Sequence, residues 1–292
     1  MLVRRLETHA GRDRLSCPGP PMSTAEKLLK AELPPRPAVL ASLTEQMHSD
    51  DPDIARVSDL VSADVGLGAA VVKTVNSPYF GLGRQVASVQ QAVTYLGLAA
   101  VFGIVTGALL RRSFPSRDPL MEHLWEDSAR RGATMGRVAR ELKVLTPDRA
   151  YTCGLFEHCG TALLLLHAPG YAEILRQDHP DQLELERSRY GSDHAALGQA
   201  LVRTWGLPDE IGLGVRHHHD MAALDGLDIP WAARQLVALS VLANQALALS
   251  AGRSTLAWVE DAPFTARVLN LSSAELEQHA QELAAALAGA PA

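Results

Sequence analysis

Residues 154 to 160 read GLFEHCG and set Glu157, His158 and Cys159 side by side. A carboxylate, an imidazole and a thiol can each ligate a metal or carry a proton. The apolar run TALLLLHAPGY follows at once. A carboxylate in such surroundings is costly to bury unless it is paired or coordinated. Glu157 is therefore expected to meet an Arg, a His or a cation. Two further histidine groups lie downstream, His194 in DHAALG (193–198) and His217, His218 and His219 in RHHHD (216–220). Neighbouring residues on a helix point about 100° apart, so the three consecutive histidines are not expected to face one ion together. One should point inward and the others to solvent, near a helix end whose dipole favours a histidinium. His194 reads as a first-turn packing or capping histidine. Cys159 lacks a CxxC partner for a structural zinc and a visible base for nucleophilic attack, so it reads as a small core residue. The chain has no phosphate loop, GxGxxG, GxSxG or HExxH pattern, and GLGAAVVK and GLGR read as turns or close helix contacts.

Helices must position these groups. The 292 residues are 47% hydrophobic, 21% charged and only 5% aromatic, with Ala and Leu abundant. Ala and Leu favour packed helices, whereas β-branched and aromatic residues favour strands. The formal charge of −6 offers no basic face for a nucleic-acid backbone. Three cysteines, Cys17, Cys153 and Cys159, make no disulfide framework and fit a reducing cytoplasm. The uninterrupted apolar runs are too short to span a bilayer, so no membrane role is expected. Residues 1–22 read as a disordered leader, and Met22 is a candidate start ahead of STAEK, where Ser23 and Glu26 form a capping box.

Along the chain the spacing predicts a helix from Ser23 to about Ala31, broken by LPPRP (33–37). Asp53, Asp64, Ser88 and Asp193 are predicted N-caps, Gly97 a C-cap, and Ser272 with Glu275 a capping box. PSRDP (115–119) is the best internal boundary, dividing 23–115 from 119–292. Beyond it a long helix is predicted over 120–143, then one from Pro147 through GLFEHCG to about Leu166, and a long buried helix in IPWAARQLVALSVLANQALALSAG.

Several segments together resemble the HDOD domain, the HD-related output domain of bacterial signalling proteins. The likeness covers about residues 30–250. LPPRPAVLASLTEQM resembles the family's opening. DLVSADVGLGAAVVKTVNSPYFGLGRQVASVQQAVTYLGLAAVFGIV resembles its central signature. HAALGQALVRTWGLPDEI, RHHH and LVALSVLANQ follow in matching order. The resemblance implies an all-α fold, with an N-terminal helical subdomain packed on a C-terminal bundle like that of HD-type phosphohydrolases.

Those enzymes hold metal with a His, a His-Asp doublet and a late Asp, some with extra histidines. By this resemblance the first His falls at Asp127, the doublet at Glu157 and His158, and the late Asp at Asn244. The extra histidines fall at His194 and at His217 or His218. An amide in place of a carboxylate weakens a hard-cation site. The expectation is a vestigial metal site with no resident cofactor and no hydrolase activity. The family role implied is signalling through protein contacts, with histidine kinases, response regulators or cyclic-dinucleotide enzymes on separate chains as partners. Tyr79, Phe80 and Arg84, in NSPYFGLGR, are the candidate contact residues; the alternative is that the aromatics plug the junction between the two halves. Two other readings stand beside this one. One is a residual metal-dependent phosphohydrolase acting on a nucleotide or cyclic dinucleotide. The other is a nucleotide-sensing pocket with Arg130 or Arg131 on phosphate.

Overall fold

A computed structural model describes residues 33–77, 80, 82–176, 182–226, 228–255 and 257–288. The expected leader, the helix after Ser23, Cys17 and Tyr79 lie outside these residues. Among the described residues every regular element is a helix. The N-terminal half comprises α1 (Ala38–Met47), α2 (Ile54–Ser62), α3 (Val65–Val75), α4 (Val89–Leu96) and α5 (Leu98–Arg112). The longer second half begins with α6 (Pro119–Leu142), α7 (Pro147–Phe156), α8 (Cys159–His167), α9 (Tyr171–Arg176) and α10 (Gln182–Tyr190). It continues with α11 (His194–Thr204), α12 (Asp209–His217), α13 (Met221–Gly226), α14 (Trp231–Ser250), α15 (Trp258–Leu269) and α16 (Ser273–Ala288).

The caps follow the local chemistry. Asp53, Asp64, Ser88 and Asp193 each accept a backbone N–H three residues on, from Arg56, Leu67, Gln91 and Ala196. These bonds satisfy donors that a helix start leaves unpaired. Gly97, with φ +84, ends α4, and Ser272 and Glu275 exchange the bonds of a capping box. Asp118 caps α6 by accepting from Leu120, and Pro119 sits at its first turn.

The two halves share one apolar cluster running from Leu40 to Leu283, with no gap at PSRDP. Phe114 and Trp125 stack across that boundary with ring centroids 5.7 Å apart. Gly103 and Gly107 of α5 let it lie against Tyr151, Thr152 and Leu155 of α7. A second tie runs from the other end of the chain: Trp205 Nε1 donates to the Pro34 carbonyl at 3.0 Å.

Asn76 explains the NS of the central signature. Its side chain donates to the Val86 carbonyl at 2.7 Å and accepts from Val86 N–H at 2.8 Å, closing the intervening turn. Phe80 packs its ring 6.3 Å from that of Tyr151, at the junction of the two halves. Arg84 lies over the exposed ring of Tyr95, 4.4 Å from its centroid, and donates to its hydroxyl.

Helix α14 is the long buried helix expected over residues 229–252. It is long and apolar enough to cross a bilayer, the only such helix among the described residues. Its apolarity has a simpler cause: α6, α12, α15 and α16 surround it, burying Leu236 to Ala243 almost without interruption. A helix packed on most sides is apolar most of the way round.

Candidate functional site

The helix expected to run through GLFEHCG breaks inside it. α7 ends at Phe156, Glu157 and His158 form a turn, and α8 starts at Cys159. The break changes where the doublet points. Glu157 turns toward α6 and α14, and His158 turns toward the later histidines.

The bracketing glycines make this possible. A Cβ on Gly154 would meet Gly132 Cα at 2.7 Å, where α6 and α7 cross. A Cβ on Gly160 would meet the His194 carbonyl oxygen at 2.0 Å, where α8 meets α11. Any side chain at Gly160 would therefore push His194 away from His158.

Glu157 is fully buried. Its Oε1 stands 3.0 Å from Arg131 Nε and 3.6 Å from His158 Nε2. Arg131 Nε also donates to Asn244 Oδ1 at 2.9 Å, and Asn244 Nδ2 reaches Glu157 Oε1 at 3.4 Å. The carboxylate, guanidinium and amide thus form one closed triangle. Glu157 Oε2 and Arg131 Nη1 are buried with no hydrogen-bond partner among the described residues.

Four histidines lie beside this triangle. One ring nitrogen from each of His158, His194, His218 and His219 falls within 4.8 Å of the others. His194 is placed by α11, whose N-cap Asp193 is held by Arg187 at 2.6 Å and Arg216 at 3.5 Å. His194 Nδ1 donates to Glu186 Oε2 at 2.8 Å, and its backbone N–H donates to the same oxygen at 2.7 Å. Tyr171 and Gln182 bond the other Glu186 oxygen at 2.6 and 2.9 Å. Burial alone would raise the Glu186 carboxyl, but these donors, His194 first, hold it below the usual carboxylate range.

His218 and His219 both reach the cluster because α12 stops at His217. The 100° divergence holds only inside a helix. His218 caps α12 and His219 follows it in a turn, so their rings lie 4.0 Å apart on one side. Burial holds His158 and His218 well below the ordinary imidazole range, and the nearby charges of Arg131 and the other histidines add to this. Neutral imidazoles are the form that ligates a metal. A cavity of about 410 Å³ opens at His219, edged by Asp220, Asp225, Glu260 and Asp261.

The resemblance-based positions divide accordingly. Glu157, His158, His194, His218 and Asn244 share one cleft. Asp127 is exposed on α6 and stands outside it; Arg131, one turn on, is the α6 residue that enters. His217 is half-buried outside the cluster, and His219 takes its place. Cys153 and Cys159 are free thiols buried in the core, and burial pushes both well above the usual thiol range. Glu186 carries no sequence signal: it sits in the polar stretch DQLELERSRY and is buried where α10 meets Tyr171 of α9 and His194 of α11.

The HDOD domain model matches residues 33–221, nearly two thirds of the chain. This chain belongs to the HDOD family. Two solved structures overlay almost the whole chain. An HDOD domain protein of unknown function from Geobacter sulfurreducens is 23% identical, with TM-score 0.67 over 88% of this chain and 93% of that one. A candidate phosphohydrolase from Shewanella amazonensis is 22% identical, with TM-score 0.68 over 90% and 93%. At these identities the likeness establishes the fold. An uncharacterized protein from Treponema pallidum (strain Nichols) is 27% identical over 204 residues, which are 65% of this chain and 38% of that protein. This HDOD chain therefore matches well under half the length of that relative.

The two-metal centre of HD-type hydrolases does not fit the cleft. Such a centre needs carboxylates that bridge two ions. Here the doublet's carboxylate position carries His158, the late one carries the neutral amide of Asn244, and Glu157, at the doublet's His position, is already paired with Arg131.

Proposed function

We propose that this HDOD chain is a regulatory module that acts through protein contacts and does not hydrolyse a phosphate ester. The observation that carries the reading is Arg131. A fixed cation held between Glu157 and Asn244 neutralises the carboxylate a second metal would need. It also counts against Arg131 as the phosphate contact of a nucleotide-sensing pocket, because Arg131 is committed inward and its side chain is only 13% exposed. Family membership supplies the signalling context. The partners are signalling proteins on other chains, of histidine kinase, response regulator or cyclic-dinucleotide enzyme type, in a cytoplasmic setting.

The contact surface belongs to the turn closed by Asn76. Phe80 is turned inward onto Tyr151, so the face offered to a partner is that of Arg84 and Tyr95. An exposed aromatic under a guanidinium is the kind of anchor that concentrates binding energy at interfaces.

Two measurements test this. Purified chain is incubated with mononucleotides, cyclic dinucleotides and an aryl phosphodiester, with Mn²⁺ or Mg²⁺ added; no turnover is expected. Capture from the native host with wild type and with Tyr95→Ala should recover a signalling protein with the wild type only. Turnover abolished by His158→Ala would overturn the reading.

A further inference from the structure

His194 Nε2 lies 3.4 Å from His218 Nε2 and 3.2 Å from His219 Nε2. The remaining ring nitrogens show why this matters. His194 Nδ1 meets the Glu186 carboxylate at 2.8 Å, and His218 Nδ1 meets the Val215 carbonyl at 2.7 Å. Both partners only accept, so both Nδ1 atoms carry the proton. In the neutral form that a metal ligand takes, the two Nε2 atoms present lone pairs to each other. A proton on His219 satisfies one of them and leaves the other facing a lone pair. His158 closes the group, with its ring centroid 4.9 to 5.9 Å from the other three.

Lone pairs converging from separate elements call for a cation. Ligands held at 2.0–2.1 Å in a tetrahedron stand about 3.3–3.4 Å from one another. The two Nε2 separations fall close to that edge. The carboxylate and carbonyl behind His194 and His218 are the outer partners that orient ligating histidines. Imidazole suits zinc, copper and nickel, whereas magnesium and calcium prefer oxygen. The cavity at His219, lined by Asp220, Glu260, Asp261 and the Asp225–Arg267 ion pair, borders the cluster.

We propose that His158, His194, His218 and His219 form a mononuclear, all-nitrogen site for a zinc-class divalent ion. Four protein ligands close the shell and leave no corner for a water, as in structural zinc sites. The ion ties the α7–α8 break, the start of α11 and the end of α12 into one unit. Arg131 beside it confines the cleft to a single ion. The proposal rests on the geometry of the cluster and is independent of the partner reading above.

The test uses the full chain without an affinity tag, stripped with a chelator and dialysed against Zn²⁺. One zinc per chain should be retained. The Co²⁺-loaded protein should show the intense visible bands of tetrahedral cobalt, and X-ray absorption should show nitrogen neighbours only. His194 is buried, so His194→Ala risks misfolding. His219→Ala, at the solvent side, keeps the question answerable and should weaken zinc at least 10-fold while the apo protein keeps its helical circular dichroism. Glu186→Gln should weaken it about 10- to 100-fold, the range for an outer-partner loss. No retained zinc, or equal retention by wild type and His219→Ala, would overturn the site. Two zinc ions per chain would overturn the single-ion claim. Zinc-dependent turnover would overturn the closed shell and, separately, the non-hydrolytic reading, because a reacting water needs an open corner.

Discussion

Arg131 Nε stands 3.0 Å from Glu157 Oε1, so a helix-α6 cation and the turn between α7 and α8 form one buried ion pair. Each partner makes the other tolerable. Removing one leaves a charge without water or counter-charge, which costs far more than the pair contributes. Arg131→Met should therefore destabilise the chain by about 3–5 kcal/mol in urea denaturation. Arg131→Met with Glu157→Leu should recover most of that loss. A double variant no more stable than the single one would show that the pair is not coupled.

Gly160 sets the approach of α8 to α11. A methyl there would lie 2.0 Å from the His194 carbonyl oxygen and 2.9 Å from Gly198 N, both backbone atoms that cannot turn aside. Gly160→Ala should lower stability by at least about 1–3 kcal/mol, the usual range for overpacking. It should also lower zinc affinity, since His194 moves with its helix. Gly83→Ala is the control, because nothing lies within 4 Å of the added atom. Equal melting temperatures for the two variants would refute the close approach.

Asn76 holds the turn that ends at Val86 through bonds to both the N–H and the carbonyl of Val86, and a third to the Val72 carbonyl. Asn76→Ala removes all three and leaves partly buried backbone groups unpaired, at about 1–3 kcal/mol. Limited proteolysis should then cut faster between residues 77 and 85. An unchanged cleavage pattern would mean the turn is held by other contacts.

Trp205 joins the start of the described chain to α11. Its ring packs edge-on to Phe156 at 5.6 Å while Nε1 bonds the Pro34 carbonyl. Trp205→Phe keeps most of the packing and loses the bond, so a loss of about 0.5–1.5 kcal/mol is expected. Trp205→Ala should cost about 3–5 kcal/mol, because a fully buried ring leaves a cavity. Thermal denaturation of both variants separates the polar tie from the packing.

Much of the fold was legible along the chain. Helix-start chemistry is local: an Asp or Ser three residues before an unpaired N–H acts alike in any surroundings, so Asp53, Asp64, Ser88 and Asp193 could be read directly. Apolar spacing marked the long helices, including α6 and α14. Composition alone does not distinguish a helix enclosed by protein, such as α14, from one enclosed by lipid. The break at Glu157 and His158 was not legible, because no proline or positive-φ glycine marks it. At the break Glu157 meets Arg131 while His158 joins the other histidines.

The sequence by itself determined an all-helical HDOD chain, because residue types and helix caps are fixed along the chain. Only the tertiary structure decided what the cleft holds. His158, His194 and His219 belong to three separate segments, and their convergence depends on close backbone contact at Gly160 and on α12 ending at His217. Arg131, not Asp127, reaches the cleft: it lies one turn further along α6, level with Glu157, and its longer side chain reaches Glu157 Oε1, while Asp127 is exposed. A histidine's neighbours along the chain do not reveal whether its lone pair meets water or three other rings; packing alone sets that.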